Sequence, residues 1–403
     1  MVFMEHLSGT IKIRDIFLDN GNWWKLFLRK SHLMRPAIII NVAKLLVCRT
    51  QALGFHRFFC PKCVKLLDAP HSCKSRLCPS CGKKATEQWI ADADARLPNT
   101  TWQHISFTIP RDLQLIIWAN RYLMGMLAPR AAKLILDLAK KKNLLPGIFL
   151  AIHTFGRDLK RNYHIHLSTT AGGLSADRRK WIGGLYFHHS ILKSLWKYAV
   201  VKLIRDEFNA GRLRFPKPIA HLAHKKELNR LLDSLWKKDW VVHLNEQSSN
   251  RKATIDYLGK YLKRPPIGET RIKAYDGNSV TFKYLDHYTG EMAEMVLPCE
   301  DFLERLISHI PDQNFRNIRY YGFLSNRTSG KLMQAVYRLL EQKMRKAARI
   351  TWRKMRQTLT GMDPVKCPRC GTKMELVHIK FSINNNSLIK RHEEIANGYF
   401  QMV

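Results

Sequence analysis

The chain alternates between apolar and polar residues in several short segments, and this pattern predicts strands. Residues 101–110 alternate and end at a proline, which is typical of a strand. The apolar run 147–155 and the segment 163–167 flank a polar turn, so together they predict a β-hairpin. Three further strands are predicted at 241–244, 280–285 and 292–297.

Helical periodicity accounts for most of the remaining sequence. It extends through five segments, which are residues 1–50, 113–145, 177–240, 254–264 and 331–356. The polar tail after Ser382 is predicted to be loosely ordered. Strands joined by a hairpin and interrupted by helical segments predict an α+β fold built on an antiparallel sheet.

The balance of charges indicates the class of partner. Lys and Arg total 68 against 32 Asp and Glu, which gives a net charge of +36. Such a surplus is self-repulsive unless an anionic polymer is the usual partner, and this favours nucleic acid. Ribosomal and chromatin proteins are also basic, so the charge leaves the activity open. The longest apolar stretches are too short to span a membrane and are interrupted by Lys44 and Arg121.

The first residues and the cysteines indicate the compartment. Residues 1–14 carry charges and lack the apolar segment of a secretory signal, so we expect a cytoplasmic protein. Nine cysteines, largely in Cys-x-x-Cys pairs, indicate zinc in a reducing environment and not disulfides.

A pair of histidines lies on the second predicted arm of the hairpin. His164 and His166 are two residues apart, so in a strand both side chains project from the same face. Two imidazoles placed in this way can chelate one ion. His153 on the first arm lies across from the pair and is the candidate third ligand; otherwise it is a core or loop histidine. A pair of surface histidines is the alternative interpretation.

Residues 56–82 are rich in cysteine and histidine. Cys60, Cys63, Cys78 and Cys81 form two Cys-x-x-Cys pairs, whose tight turns can direct four thiolates at one structural zinc ion. Other candidates in this segment are the surplus ligands Cys73 and His71, for a second zinc or an alternative ligand set, and the basic residues Lys74 and Arg76, for DNA phosphates.

Two tyrosines lie four residues apart in the predicted helix 254–264. Tyr257 and Tyr261 would share one helix face about 6 Å apart. Such a pair is often only a half-buried stripe. Lys260, Lys263 and Arg264 lie beside them and can neutralise DNA phosphates or form a solvated basic face.

Two features of the C-terminal region also suggest binding roles. The stretch 310–327 mixes aromatic and amide side chains with Arg316 and Arg319, which suits stacking on single-stranded DNA. Cys367 and Cys370 form a further Cys-x-x-Cys pair. Either His378 and His392 complete a second zinc site there, or the pair is a knuckle without metal.

Several motifs, taken in order, carry a family resemblance. They are the cysteine-rich ribbon, Phe107-Thr-Ile-Pro110, His153-Thr-Phe-Gly before the histidine pair, Tyr257-x3-Tyr261, Ile318-Arg-Tyr-Tyr-Gly and Cys367-Pro-Arg-Cys370. Together they resemble the two-tyrosine rolling-circle transposases of the insertion sequence 91-like family, over about residues 40–375. The resemblance implies the HUH endonuclease fold, in which helices are inserted around an antiparallel sheet, here preceded by a zinc ribbon.

The resemblance also implies a reaction. Tyr257 and Tyr261 would form 5′ phosphotyrosine intermediates with single-stranded DNA of the transposon ends and target. The histidine site would hold Mg²⁺ or Mn²⁺, although imidazole ligands intrinsically favour zinc or nickel. The sequence has no G-x-x-x-x-G-K-[ST] motif, so strand displacement would depend on host helicase and replication machinery.

These observations give an expected organisation for the 403 residues. We predict an N-terminal helical arm (1–50), a zinc-binding domain (51–98), an HUH nuclease domain with helical insertions and the tyrosine helix (99–300), and a basic C-terminal region (301–403). A nucleoid-associated bacterial transposase is the expected function. The alternatives are a plasmid replication initiator or relaxase with the same site, and a zinc-stabilised nucleic-acid-binding protein without catalysis.

Overall fold

The computed structural model describes residues 10–402 apart from 246, 249–250, 253, 256–258, 260–264, 287–288 and 382–383. Its α-helices are α1 (Ile13–Leu18), α2 (Asn22–Lys30), α3 (Pro36–Leu46), α4 (Pro79–Arg96), α5 (Arg111–Ala119), α6 (Tyr122–Lys140), α7 (His189–Asn209), α8 (Lys225–Lys237), α9 (Cys299–Ser308), α10 (Ser329–Leu339), α11 (Trp352–Thr360) and α12 (Asn385–Met402). Its strands are β1 (Phe55–Cys60), β2 (Lys65–Pro70), β3 (Trp102–Thr108), β4 (Leu144–Leu145), β5 (Gly147–Phe155), β6 (Arg161–Thr170), β7 (Gly172–Ser175), β8 (Trp181–Gly183), β9 (Val242–Leu244), β10 (Ile272–Tyr275), β11 (Ser279–Leu285), β12 (Met292–Pro298), β13 (Ile318–Gly322) and β14 (Glu375–Lys380).

The central sheet has five strands in the order β13-β5-β6-β3-β9, and every neighbouring pair is antiparallel. The predicted hairpin forms its middle, with β5 paired to β6. Because the sheet is antiparallel and the helices are inserted between its strands, the predicted α+β class is confirmed.

One face of the central sheet is covered by helices. Ile165 and Leu167 of β6 pack in a continuous core with Ile105 and Phe107 of β3 and with the apolar sides of α5, α6, α7 and α8. These helices come from the segments 113–145 and 177–240, which the sequence predicts to be helical. Within the second segment, residues 181–183 form β8 instead. This layer fixes the positions of the strands that carry the histidines.

The opposite face is covered only in part by apolar contacts. Phe149 and Ala151 of β5 pack with Trp102 and with Trp89 of α4, and Ile255 belongs to the same cluster. The histidines continue this face beyond Ala151. The face therefore has an apolar half under α4 and α10 and a polar half at the hairpin end.

A second core joins the N-terminal helices to later segments. Buried side chains of α1, α2 and α3 share it with β10, β11, α9 and Ala396 of α12. The tail after Ser382 was expected to be loose, but Asn385–Met402 is a helix. Leu388, His392 and Ala396 are buried at four-residue intervals, so one face of α12 packs on the N-terminal helices.

The predicted helix 331–356 is also wrong as a single element. α10 ends at Leu339 and α11 begins at Trp352. Glu341 has a left-handed backbone with φ 54°, which a continuous α-helix cannot contain. The Thr351 hydroxyl accepts a hydrogen bond from the Lys354 amide and starts α11 anew.

Candidate metal centre and DNA-processing site

Three histidines converge at the turn end of the β5–β6 hairpin. His153 lies directly opposite His164 in the register, and His166 follows two residues along β6 on the same face. Their ligand atoms all lie within 4.8 Å of one another. The ring centroids of His153 and His166 are 4.6 Å apart, and those of His164 and His166 are 4.8 Å apart. One divalent cation could be bound by all three imidazoles.

Neighbouring groups orient two of these rings. The Nδ1 atom of His164 lies 2.8 Å from the Asn162 carbonyl, so Nδ1–H donates there and Nε2 keeps its lone pair. The Nδ1 atom of His166 lies 3.0 Å from Ser106 Oγ and 3.1 Å from His104 Nε2. Hydrogen bonds of this kind around metal-binding histidines fix the ring and its tautomer.

The electrostatics of the cluster favour neutral imidazoles. Burial, and then the nearby imidazoles, hold the pKa values of His153 and His166 well below the usual histidine range. Burial also lowers the pKa of His104 to about 4. Neutral imidazole is the form that binds metal, so the protonation state suits a cation site.

The predicted nucleophiles lie outside the described residues. This applies to Tyr257 and Tyr261 and to the basic neighbours Lys260, Lys263 and Arg264.

Two described residues of the same segment do have defined surroundings. Ile255 is 1% exposed in the cluster with Phe149 and Ala151 of β5. A Cβ atom on Gly259 would lie 2.6 Å from Cγ1 of Ile90 in α4. Ala151 pairs with His166 in the sheet register. Ile255 therefore packs on the sheet face that carries the histidines, and Gly259 lies against α4.

A first cysteine cluster contains Cys48, Cys73, Cys78 and Cys81. Cys48 follows α3, and Cys78 and Cys81 lie at the start of α4. The Cys48 and Cys78 sulfurs are 3.6 Å apart, as are those of Cys73 and Cys81. Four thiolates at this spacing fit tetrahedral zinc.

A second cysteine cluster contains Cys60, Cys63, Cys367 and Cys370. The Cys60 and Cys370 sulfurs are 3.5 Å apart. The two Cys-x-x-Cys pairs are far apart in the sequence and meet here because β14 pairs antiparallel with β1. Hydrogen bonds from Thr372 lower the pKa of the Cys370 thiol to about 6, whereas the hydrogen bond with Cys370 raises the pKa of the Cys63 thiol to about 12. Cys370 is therefore the thiol of this pair that ionises first.

The structure therefore corrects the expected grouping of Cys60, Cys63, Cys78 and Cys81 around one ion. The first pair lies at the turn of the β1–β2 hairpin and the second at the start of α4, and the structure places the two pairs in separate clusters. Cys48, which the spacing argument overlooked, and Cys73, which it treated as surplus, complete the first cluster.

The histidines considered as zinc ligands have other contacts. His71 Nε2 lies 2.9 Å from His56 Nδ1, and His71 Nδ1 lies 3.0 Å from the Leu53 carbonyl. His392 accepts a hydrogen bond of 2.7 Å from the Trp23 indole. His378 is exposed on β14. Among the described residues, neither cysteine cluster includes a histidine.

The remaining DNA-binding candidates occupy different environments. Lys74 and Arg316 are exposed, whereas Arg76 lines a cavity together with His153. Arg319 donates from Nη1 to the Gly125 carbonyl at 2.8 Å. The aromatic tract 318–322 is strand β13, and its Tyr320 hydroxyl accepts a hydrogen bond from Trp89, so this part of the stretch 310–327 has a structural role.

Comparison with known proteins adds to this geometry. A family described as "Putative transposase" matches residues 147–331, and one described as "Transposase zinc-binding domain" matches residues 20–109. The chain is 36% identical over 369 residues to the transposase for insertion sequence element IS801 of Pseudomonas savastanoi pv. phaseolicola, covering 90% of this chain and 88% of that protein. It is 30% identical over 336 residues to a "Putative transposase" of Sinorhizobium fredii, covering 80% and 84% respectively. No solved structure matches at a significant level.

The cysteine clusters and the histidine-bearing antiparallel sheet, together with these matches, define a metal-binding transposase. The chain belongs to the insertion sequence 91-like family of transposases, which confirms the resemblance noted in the sequence. None of the described helices has the length and apolar character that crossing a membrane requires.

Proposed function

We propose that this transposase nicks and rejoins single-stranded DNA at transposon ends through phosphotyrosine intermediates and thereby drives rolling-circle transposition. The main support is the convergence of His153, His164 and His166 within 4.8 Å on the sheet face where Ile255 packs in one cluster with Phe149 and Ala151. A cation site on this face suits phosphodiester chemistry.

The three histidines would hold Mg²⁺ or Mn²⁺. A bound cation would neutralise a non-bridging oxygen of the scissile phosphate and align the bond for attack. Imidazole ligands alone would favour zinc or nickel, so the choice of magnesium or manganese rests on the family and on metal availability. The Nδ1 contacts of His164 and His166 orient the two rings, so that Nε2 is the candidate ligand atom of each.

Tyr257 and Tyr261 are the proposed nucleophiles. A tyrosine oxygen attacks the phosphorus, the bond to the 3′ oxygen breaks, and that oxygen leaves as a 3′ hydroxyl. The aryl phosphodiester keeps the bond energy, so rejoining needs no ATP. Two tyrosines would let one hold the first cut end while the other makes the second cut. Lys260, Lys263 and Arg264 would bind adjacent phosphates.

A denaturing gel tests this proposal. We expect purified protein, Mn²⁺ and single-stranded DNA of a transposon end to give a DNA adduct that survives denaturation. The double variant Tyr257→Phe, Tyr261→Phe should give none, while the control Tyr198→Phe, at an exposed tyrosine of α7, should behave as wild type. Absence of an adduct with any divalent metal would instead indicate a non-catalytic DNA-binding protein.

We also propose one structural zinc ion in each cysteine cluster. Wild-type protein should then contain two zinc ions per chain. Cys60→Ala and Cys78→Ala should each lose about one, because three thiolates bind zinc more weakly than four. Cys299→Ala is the matched control, since Cys299 is buried outside both clusters. One zinc per wild-type chain would contradict the second site.

The partners would be single-stranded DNA of the ends and target, together with host helicase and replication machinery. The proposed location is the bacterial cytoplasm, in association with the nucleoid. Nicking by purified protein should therefore proceed without helicase, whereas strand displacement should require one. Strand displacement by the purified protein without a helicase would contradict this proposal.

A further inference from the structure

A small cavity adjoins the histidine cluster. Its walls come from the first cysteine cluster, the end of β5 and the loop after α9. It is lined by Arg76, Leu77, Arg121, Met124, Ile152–Phe155, Pro266, His309–Pro311, Phe315 and Asn317. The cavity therefore joins the cysteine-rich N-terminal region to the proposed metal centre.

Arg76 brings a positive charge to this cavity. It lies in the loop between Cys73 and Cys78, and its backbone amide donates to Asn41 Oδ1 at 2.9 Å. In the part of the chain that the structure describes, no carboxylate lies within ion-pair distance of its guanidinium. An arginine that is partly buried without an anion carries a desolvation cost that a bound anion would offset.

Arg121 is fixed so that one donor faces away from its protein partners. Its Nε lies 3.2 Å from Asp312 Oδ2, and its Nη2 donates to the Ile310 carbonyl at 3.2 Å. Its Nη1 is buried and has no hydrogen-bond partner among the described residues. Asp312 is shared with Arg35, so this single carboxylate faces two guanidinium groups.

Asn317 adds a polar group to the same wall. Within the described part of the chain its buried side-chain Oδ1 has no hydrogen-bond partner, while its backbone carbonyl accepts from the Ile152 amide. A side-chain amide can turn either its oxygen or its NH₂ group towards a ligand. Arg121 and Asn317 thus turn polar atoms without a described protein partner towards one cavity, where a bound group could complete their hydrogen bonds.

The size of the cavity limits the ligand. Its volume is about 40 Å³. At roughly 10–15 Å³ per water this is space for about three waters. A phosphate group fits this space, whereas a nucleobase is too large. Two guanidinium groups and an amide are donors that recognise phosphate oxygens.

We propose that this cavity binds one backbone phosphate of single-stranded DNA next to the scissile bond, through Arg76, Arg121 and Asn317. The inference deepens the proposed function, since it assumes a DNA substrate. It gives the first cysteine cluster a second role, because the fold around Cys73 and Cys78 holds Arg76 at the metal centre. The cavity and the histidine metal centre would then bind adjacent phosphates of the same strand.

Binding of single-stranded DNA without divalent metal tests this site independently of cleavage. A mixed-sequence oligonucleotide is titrated with full-length, zinc-loaded protein at several salt concentrations. Arg76→Met should weaken binding about tenfold or more, since it removes a charged hydrogen bond. The log–log salt slope should fall by about 0.7, as expected for one phosphate contact on a single strand. Arg76→Lys should restore the slope but only part of the affinity.

Arg205→Met is the matched control, because Arg205 is exposed on α7, on the helical side of the sheet. It should leave both quantities unchanged. Zinc content and the melting temperature confirm that the Arg76 variants remain folded.

Two results would overturn the proposal. In one, Arg76→Met matches Arg205→Met in affinity and slope. In the other, inorganic phosphate binds tightly in an Arg76-dependent manner but does not compete with DNA, which would assign the cavity to a small anion. If the protein formed no tyrosine adduct but still bound DNA in an Arg76-dependent manner, only the proposed cleavage chemistry would be contradicted.

Discussion

The two faces of strand β6 carry different kinds of side chain. Ile165 and Leu167 point into the helical layer and are 3% and 0% exposed. His164 and His166 alternate with them and point to the opposite face, where their rings meet His153. Because successive side chains of a strand point to opposite faces, one ten-residue strand serves both purposes.

The contrast shows how the chain separates stability from chemistry. The apolar face contributes burial energy and fixes the backbone, whereas the histidine face buries polar groups and contributes less to folding. A rigid strand is what a three-ligand site needs, since ligand atoms must hold their positions without the ion. Substitutions on the two faces should therefore affect different measurements.

The largest expected effect is on the histidine face. His164→Ala or His166→Ala removes a metal ligand, and cation stabilisation of the transition state amounts to several kcal/mol. Adduct formation should fall at least about a thousandfold, while the melting temperature changes little. His221→Ala, at an exposed histidine in the helical layer, is the control. Adduct formation at the wild-type rate would remove the histidines from the mechanism.

The next largest effect is expected on the apolar face. Leu167→Ala should reduce the free energy of unfolding by about 2–5 kcal/mol, because it leaves a cavity in a fully buried position. Below the melting transition, adduct formation should persist. Leu33→Ala, at a leucine that is 72% exposed, should change neither property. Loss of activity in folded Leu167→Ala protein would show that the two faces are coupled.

The sequence predicted this strand well because the signals are local. Alternation, the polar turn and the two-residue spacing of His164 and His166 all fall within one hairpin, and the structure has that hairpin with His153 opposite His164. The identity of the metal could not be predicted in this way, because no local sequence pattern distinguishes magnesium from manganese at three imidazoles.

The cysteine clusters could be predicted only in part. The spacing argument grouped Cys60 with Cys78, but Cys60 shares its cluster with Cys367 and Cys370, which lie over 300 positions away. Pairing of β1 with β14 creates this contact, and strand partners across such a separation are not encoded locally. For α12, a signal was present in the four-residue repeat of buried positions, but the polar composition obscured it.

A third test concerns a polar contact at the end of the hairpin. Thr154 continues the alternation of the apolar face, and its hydroxyl lies 3.2 Å from Nδ1 of buried His309. His309 Nε2 donates to the Leu159 carbonyl at 2.9 Å. Both contacts suit neutral imidazole, and burial lowers the pKa of His309 to about 4.

Because the pKa of His309 is lowered in the folded protein, acid should destabilise the fold. The unfolded chain, with a histidine pKa near 6.5, takes up a proton before the folded protein does, so stability present above that pH is lost as pH falls towards 4. Between pH 7 and 5 the loss should be about 2 kcal/mol. His309→Gln should remove this component in denaturant unfolding, whereas His221→Gln should retain it. Parallel pH profiles for wild type and His309→Gln would show that His309 titrates normally.

The smallest effect should sharpen the histidine face itself. Ser106 Oγ lies 3.0 Å from Nδ1 of His166 and supports the ring without being a ligand. Ser106→Ala should weaken Mn²⁺ binding about tenfold, the lower end for such supporting contacts, with little change in unfolding. The control Ser234→Ala removes a hydroxyl whose bond stays within α8. Since His104 Nε2 also lies 3.1 Å from the same nitrogen, the double variant Ser106→Ala, His104→Ala should lose more affinity than either single variant. Equal Mn²⁺ affinity in wild type and the double variant would mean that the strand backbone alone orients His166.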